Sequence, residues 1–145
     1  MDWNAVALEL EALAKTTGIN ALDFVPDDLP NEAFYVGEMD IEPNQSFNKK
    51  LPSGHRAGTD QGTVTCRVLV ARSTDKWAIR KMRTYMAGTG TASLVEAFQD
   101  PVNQRNPEKP WSGIKVQSLR GNRLFNVGEA KFYGVEIEVF VIGAA

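Results

Sequence analysis

Apolar residues first recur at helical spacing and then give way to runs that alternate with polar ones. Val6, Leu10 and Leu13 mark one helix face, and Trp3, Ala7 and Ala14 widen it. With Asp2 as N-cap and Gly18 as terminator, the pattern predicts a helix from about Trp3 to Thr17, with a face broad enough to pack on a sheet. Ile19 to Val25 reads as a short strand, broken by Pro26-Asp27-Asp28-Leu29-Pro30. Ala33 to Ile41 reads as a second strand, with Phe34 and Val36 on one side and Tyr35, Met39 and Ile41 on the other. Apolar groups on both sides imply two covers, or one cover and a neighbouring subunit.

From Glu42 to Gly62 the periodicity stops. Two prolines, three glycines and many polar residues make this a loop or an irregular hairpin, with Phe47 and Leu51 as its large apolar side chains. A connection of this length inside a domain is uncommon and is either functional or disordered; order on a partner is the favoured reading. Thr63 to Arg72 is the clearest strand, with Val64, Cys66, Val68 and Val70 on one face. Ser73-Thr74-Asp75 then offers cap chemistry for a helix reaching about Ala87, with Ala78, Met82, Tyr85 and Met86 inward. Ser93 and Glu96 have capping-box spacing before a short third helix. Asp100 to Pro110 is a polar connection.

The remaining residues predict a three-strand meander, Ile114–Arg120, Arg123–Val127 and Lys131–Ile142, with Gly121-Asn122 as a hairpin turn. That turn would put Ile114, Val116, Phe125 and Val127 on one face. To bring them onto the face of Tyr133, Val135, Ile137, Val139 and Val141, a three-residue turn or a bulge at Gly134 is expected. The fold class is therefore α+β: one domain, with helices packed on one face of a mainly antiparallel sheet of four to six strands.

Composition narrows the function. A chain of 145 residues can bury a core without disulfide or metal. A net charge of −2 argues against duplex DNA binding as the main task, though not against DNA passing nearby. One cysteine, Cys66, and one histidine, His55, make neither a disulfide nor a zinc set. The absence of an apolar run of membrane length or of a secretory signal at Met1-Asp2-Trp3-Asn4 gives the expectation of a soluble cytoplasmic protein.

Candidate chemistry is sparse. Gly88-Thr89-Gly90-Thr91 lacks the lysine of a phosphate loop and reads as a helix–helix turn. His55, beside Arg56 and near Ser53 and Asp60, sits in a loop ill-suited to hold a catalytic constellation. Glu38, Asp40 and Glu42 would share a strand face, but nothing supplies further cation ligands, so a solvated acidic edge is preferred. Trp77 is read as core, and Trp111 as the pin of the preceding loop. No catalytic residue, metal ligand or cofactor is assigned. The candidate interface residues are Phe47, Lys49, Lys50, Leu51, His55 and Arg56, an apolar anchor with a basic surround.

Several segments, taken in order, resemble a known family. They are the opening helix, Asp23-Phe24-Val25-Pro26-Asp27, Ala33-Phe34-Tyr35-Val36-Gly37, Val64 to Arg72, Tyr85-Met86-Ala87-Gly88-Thr89-Gly90, and Tyr133 to Gly143. Together they resemble the tail terminator proteins of long-tailed, siphovirus-type phages of actinobacteria, over nearly the whole chain. Asp100 to Trp111 departs from the acidic, glycine-containing linker expected there. The resemblance implies a hexameric ring at the head-proximal end of the tail tube, a structural virion protein assembled in the host cytoplasm and not an enzyme. It implies contacts with copies of itself, the major tail protein and a head-to-tail connector or stopper. Genomic double-stranded DNA would pass through the lumen without sequence-specific binding. The alternatives are another neck or tail-completion protein, such as the head-to-tail stopper, and, more distantly, a small-molecule-binding domain or minor enzyme using the Glu38–Glu42 edge.

Overall fold

A computed structural model describes residues 1–26, 32–42, 59–71 and 76–144. The elements run α1 (Trp3–Lys15), β1 (Ala21–Leu22), β2 (Ala33–Glu42), β3 (Thr59–Ala71), α2 (Lys76–Met86), α3 (Leu94–Gln99), a 3-10 turn (Pro101–Asn103), β4 (Gly113–Val127) and β5 (Ala130–Ala144). Among the described residues five strands form one sheet in the order β1-β2-β3-β5-β4, antiparallel except for the β1–β2 pair. This is the α+β class predicted.

Asp2 caps α1 as expected, accepting from the amides of Asn4 and Ala5 at 3.0 and 3.2 Å. Val6, Ala7, Leu10 and Ala14 face inward, joined by Ala78, Met82 and Tyr85 of α2 and by Leu94 and Phe98 of α3. All three helices cover the face lined by Phe34, Val36, Val64, Cys66, Val68 and Val135 to Val141 at alternate positions. Phe34 meets Phe98 edge-on, ring centroids 5.9 Å apart. The Ser73-Thr74-Asp75 cap and Arg72 lie outside the described residues.

Several local expectations fail for identifiable reasons. The Glu42–Gly62 loop is shorter than predicted, because Thr59 to Gly62 pair with β5 and Gln61 and Gly62 also pair with β2. Two-sided pairing suffices there without apolar alternation. A register shift between Val36 and Met39 carries Met39 back to the helix-covered face, not the Tyr35 face. Gly121-Asn122 is not a turn: β4 runs through it, with a register shift between Arg120 and Arg123 and another between Val116 and Ser118. The meander is therefore one long hairpin. Ile114 packs into the helix-covered core, whereas Phe125 and Val127 belong to a second cluster with Ala33, Tyr35, Leu69 and Phe132.

The expected three-residue turn is likewise absent. Val127 pairs with Ala130 across a two-residue turn. Gly128, at φ +60°, holds its first central position as a type II′ turn requires. The faces are not reconciled; both are covered at this end of the sheet. A bulge does occur beside Gly134, but in β3, where Val70 is the extra residue opposite Gly134 and Tyr133. Together with the irregularity at Arg120–Arg123, it marks a bend. The Arg67 guanidinium carbon stands 5.2 Å from the Phe125 ring centroid, on the face opposite the helices.

Candidate assembly surface

Phe47, Lys49, Lys50, Leu51, His55 and Arg56 all fall within 43–58, outside the described residues. Their roots are described. Glu42 pairs with Gln61, whose side-chain amide donates to the Glu42 carboxylate at 2.6 Å. Glu38, Asp40 and Glu42 do share one face of β2, and Glu38 is engaged internally by Arg67 at 3.1 and 3.3 Å. Among the described residues, no group of three or more His, Cys, Asp or Glu side chains could hold a metal ion. No described helix is long and apolar enough to cross a membrane.

The face of the sheet opposite the helices centres on Arg67. It bridges Glu38 and, at 3.5 Å, Glu136, while Arg123 approaches the other Glu136 oxygen at 3.9 Å. Burial disfavours the cation, but the Tyr35 hydroxyl and the Glu38 carboxylate outweigh it and raise the Arg67 pKa above its ordinary value. Burial raises Tyr35 in turn, against the pull of Arg67. Burial also pushes the Cys66 thiol up, in keeping with the core role read from its strand position. Tyr85 is raised by burial and by its hydrogen bond to Glu32.

The two lateral edges differ. At one edge, among the described residues, β1 pairs with Phe34 and Tyr35 alone, and β2 continues to Glu42 with three carboxylates and no base. Phe24 and Val25, following β1, are 59% and 51% exposed. At the other edge β4 carries Lys115, Arg120 and Arg123 and no acid. Its first half is sealed by side-chain amides that imitate a neighbouring strand. Gln104 accepts from the Ile114 amide at 3.1 Å and donates to its carbonyl at 2.8 Å, and Gln99 accepts from Val116 at 2.8 Å. Trp111, buried, donates to the Asn103 carbonyl at 2.8 Å and pins the 100–112 segment that delivers Gln104, as its sequence position suggested.

Beside the second half of β4, Ile79, Met82, Arg83, Met86 and Gly121 line an open groove of about 300 Å³. Sequence reasoning missed both this groove and the Phe24–Val25 knob, since each depends on which strands end up at the edges. Trp77, expected in the core, is 57% exposed, with the Lys81 ammonium 5.5 Å from its ring centroid. Its helical position lies beside the buried stripe, not within it. The Gly88–Thr91 turn is occupied by the protein itself, the Glu96 carboxylate accepting from the Gly90 amide at 2.6 Å.

The chain matches no protein-family model, and no curated protein is significantly similar to it.

Proposed function

We propose that this chain is the subunit of a ring that caps the head-proximal end of a phage tail tube. The ring ends polymerisation of the tube and joins the tail to the head connector. The observation that carries the reading is the pair of chemically unlike edges that the described residues give one sheet, acidic with an apolar knob at one side and basic with an apolar groove at the other. Closed rings larger than dimers need heterologous contacts, in which left and right surfaces differ. The segments whose sequence resembles tail terminators correspond to α1, the exit of β1, β2, β3, the end of α2 and β5, so the resemblance follows the framework of the fold.

The partners are copies of the same chain, the major tail protein and the connector or stopper. Double-stranded DNA passes through the lumen, and the site of action is the neck of the virion after assembly in the host cytoplasm. The ring acts through its surfaces: no catalytic residue, metal or cofactor is invoked, and Glu38 is held by Arg67 in a structural role. The 43–58 segment, rooted at the Glu42–Gln61 pair, contributes Phe47 and Leu51 as anchors and Lys49, Lys50 and Arg56 as charged contacts in the assembled state. Adding purified protein to polymerising major tail protein tests the reading. Tubes of arrested length that carry the protein at one end are expected; unchanged lengths and no tube binding would reject it.

A further inference from the structure

The sheet itself suggests how one subunit meets the next. Leu22 of β1 pairs with Tyr35, Tyr35 with Arg67, Arg67 with Glu136, and Glu136 with Arg120 of β4. These five residues make one row that crosses the whole sheet. The exposed Phe24 and Val25 lie just beyond the first end of that row, and Gly121, on the wall of the apolar groove, lies just beyond the other. A knob and a groove therefore stand on opposite edges of the sheet, each within three residues of the same row.

The charges around them are opposite as well. Asp23 precedes the knob, and the neighbouring β2 edge carries Glu38, Asp40 and Glu42. Arg83 lines the groove, and Arg120 and Arg123 flank Gly121. Gly121 leaves the groove wall low: a Cβ there would come within 2.8 Å of the Met86 sulfur. Methionines adapt to an entering aromatic ring and make favourable sulfur contacts with it.

From this pairing we infer that Phe24 and Val25 of one copy dock into the Ile79–Met82–Met86 groove of the next, with Asp23 beside the basic β4 edge. The occupant is a second copy of this chain because an apolar knob with acidic neighbours at one edge complements an apolar groove with basic neighbours at the other. The contact is head-to-tail, so it leaves a free knob and a free groove at the ends of any open chain and is satisfied throughout only by closure. This inference rests on the ring reading and assigns its lateral interface.

The test pairs Phe24→Cys with Ile79→Cys in the full chain and joins them with a short thiol-specific cross-linker. Native mass spectrometry and electron microscopy follow assembly, and circular dichroism checks folding. The buried Cys66 stays silent in the folded protein. The double variant should give a ladder of covalent oligomers ending at the size of the uncross-linked ring, and each single variant none. Phe24→Asp, a change at an exposed site, should weaken association by about thirtyfold, the size of one lost hot-spot residue. Arg120→Glu should restore part of the association lost in Asp23→Lys.

A wild-type ring that neither cross-links through these positions nor weakens with Phe24→Asp would overturn the interface and leave the ring reading standing. Dimers cross-linked through Phe24→Cys alone would replace it with a two-fold contact. A wild-type chain that stays monomeric, free and on tail tubes, would overturn both.

Discussion

Replacing Gly134 with alanine perturbs the close approach of β3 and β5 beside the β3 bulge. A Cβ at this position would stand 1.9 Å from the Val68 carbonyl oxygen, 2.9 Å from its carbonyl carbon and 3.1 Å from the Leu69 Cα. All three are backbone atoms, so no side chain can turn aside. Relief requires β3 and β5 to separate by more than an ångström where Val68 faces Val135 and Leu69 faces Gly134. Overpacking of this kind costs about 1–3 kcal/mol. Weakening the two neighbouring ladder hydrogen bonds adds about 1 kcal/mol each. A loss of about 3–5 kcal/mol follows, which for a domain of this size is a fall in Tm of about 10–15 °C. Thermal and urea unfolding followed by circular dichroism measure it, with Gly88→Ala as control, since nothing lies within 4 Å of a Cβ there. The control should stay within about 1 kcal/mol of the parent. A Gly134→Ala melt within about 3 °C of the parent would refute the reasoning.

Removing Arg67 with alanine leaves the half-buried Glu136 with only the more distant Arg123 and exposes one side of Phe125; a loss of about 2 kcal/mol is expected, between the values for exposed and fully buried pairs. An unchanged urea midpoint would show that the pair is replaceable by solvent. Gln99→Ala with Gln104→Ala frees the Ile114 and Val116 amides, whose hydrogen exchange should quicken while that of the central strands holds; equal rates in both proteins would show that the amides are not sealed by these side chains. Tyr35 and Tyr85 are both raised above 10.0 in the folded state, so folding favours their neutral forms. That contribution is complete below pH 10 and is lost as pH rises through the folded values. Stability should therefore fall above pH 10, and less steeply in Tyr85→Phe; urea midpoints that rise over this range would contradict it.

The parts legible from sequence are those fixed by local pattern. The α1 stripe, the alternation of Val64, Cys66, Val68 and Val70 and the Ser93 cap, which accepts from Glu96 at 3.1 Å, all appear as expected. Gly121-Asn122 misled because a bulge and a turn use the same residues. Only pairing with β5, remote in the chain, decides between them. Thr59–Gly62 was hidden for a related reason: pairing with β5, remote in the chain, holds these residues in the strand without an apolar signature. The edge surfaces were least legible. Phe24 is an ordinary strand-end residue until β1 is seen to stop at Leu22, and the Met82–Met86 groove exists only because β4 lies beside α2. The charges of the 43–58 segment were readable, but its candidate contacts depend on partners that no local pattern encodes.

Cryo-electron microscopy of tail tubes assembled with this protein tests the central claim most directly. The account predicts a closed ring of copies at one end of each tube, the end that receives the head, with β1 and β4 edges alternating around it. Tubes bare at both ends, or protein distributed along their length, would contradict it.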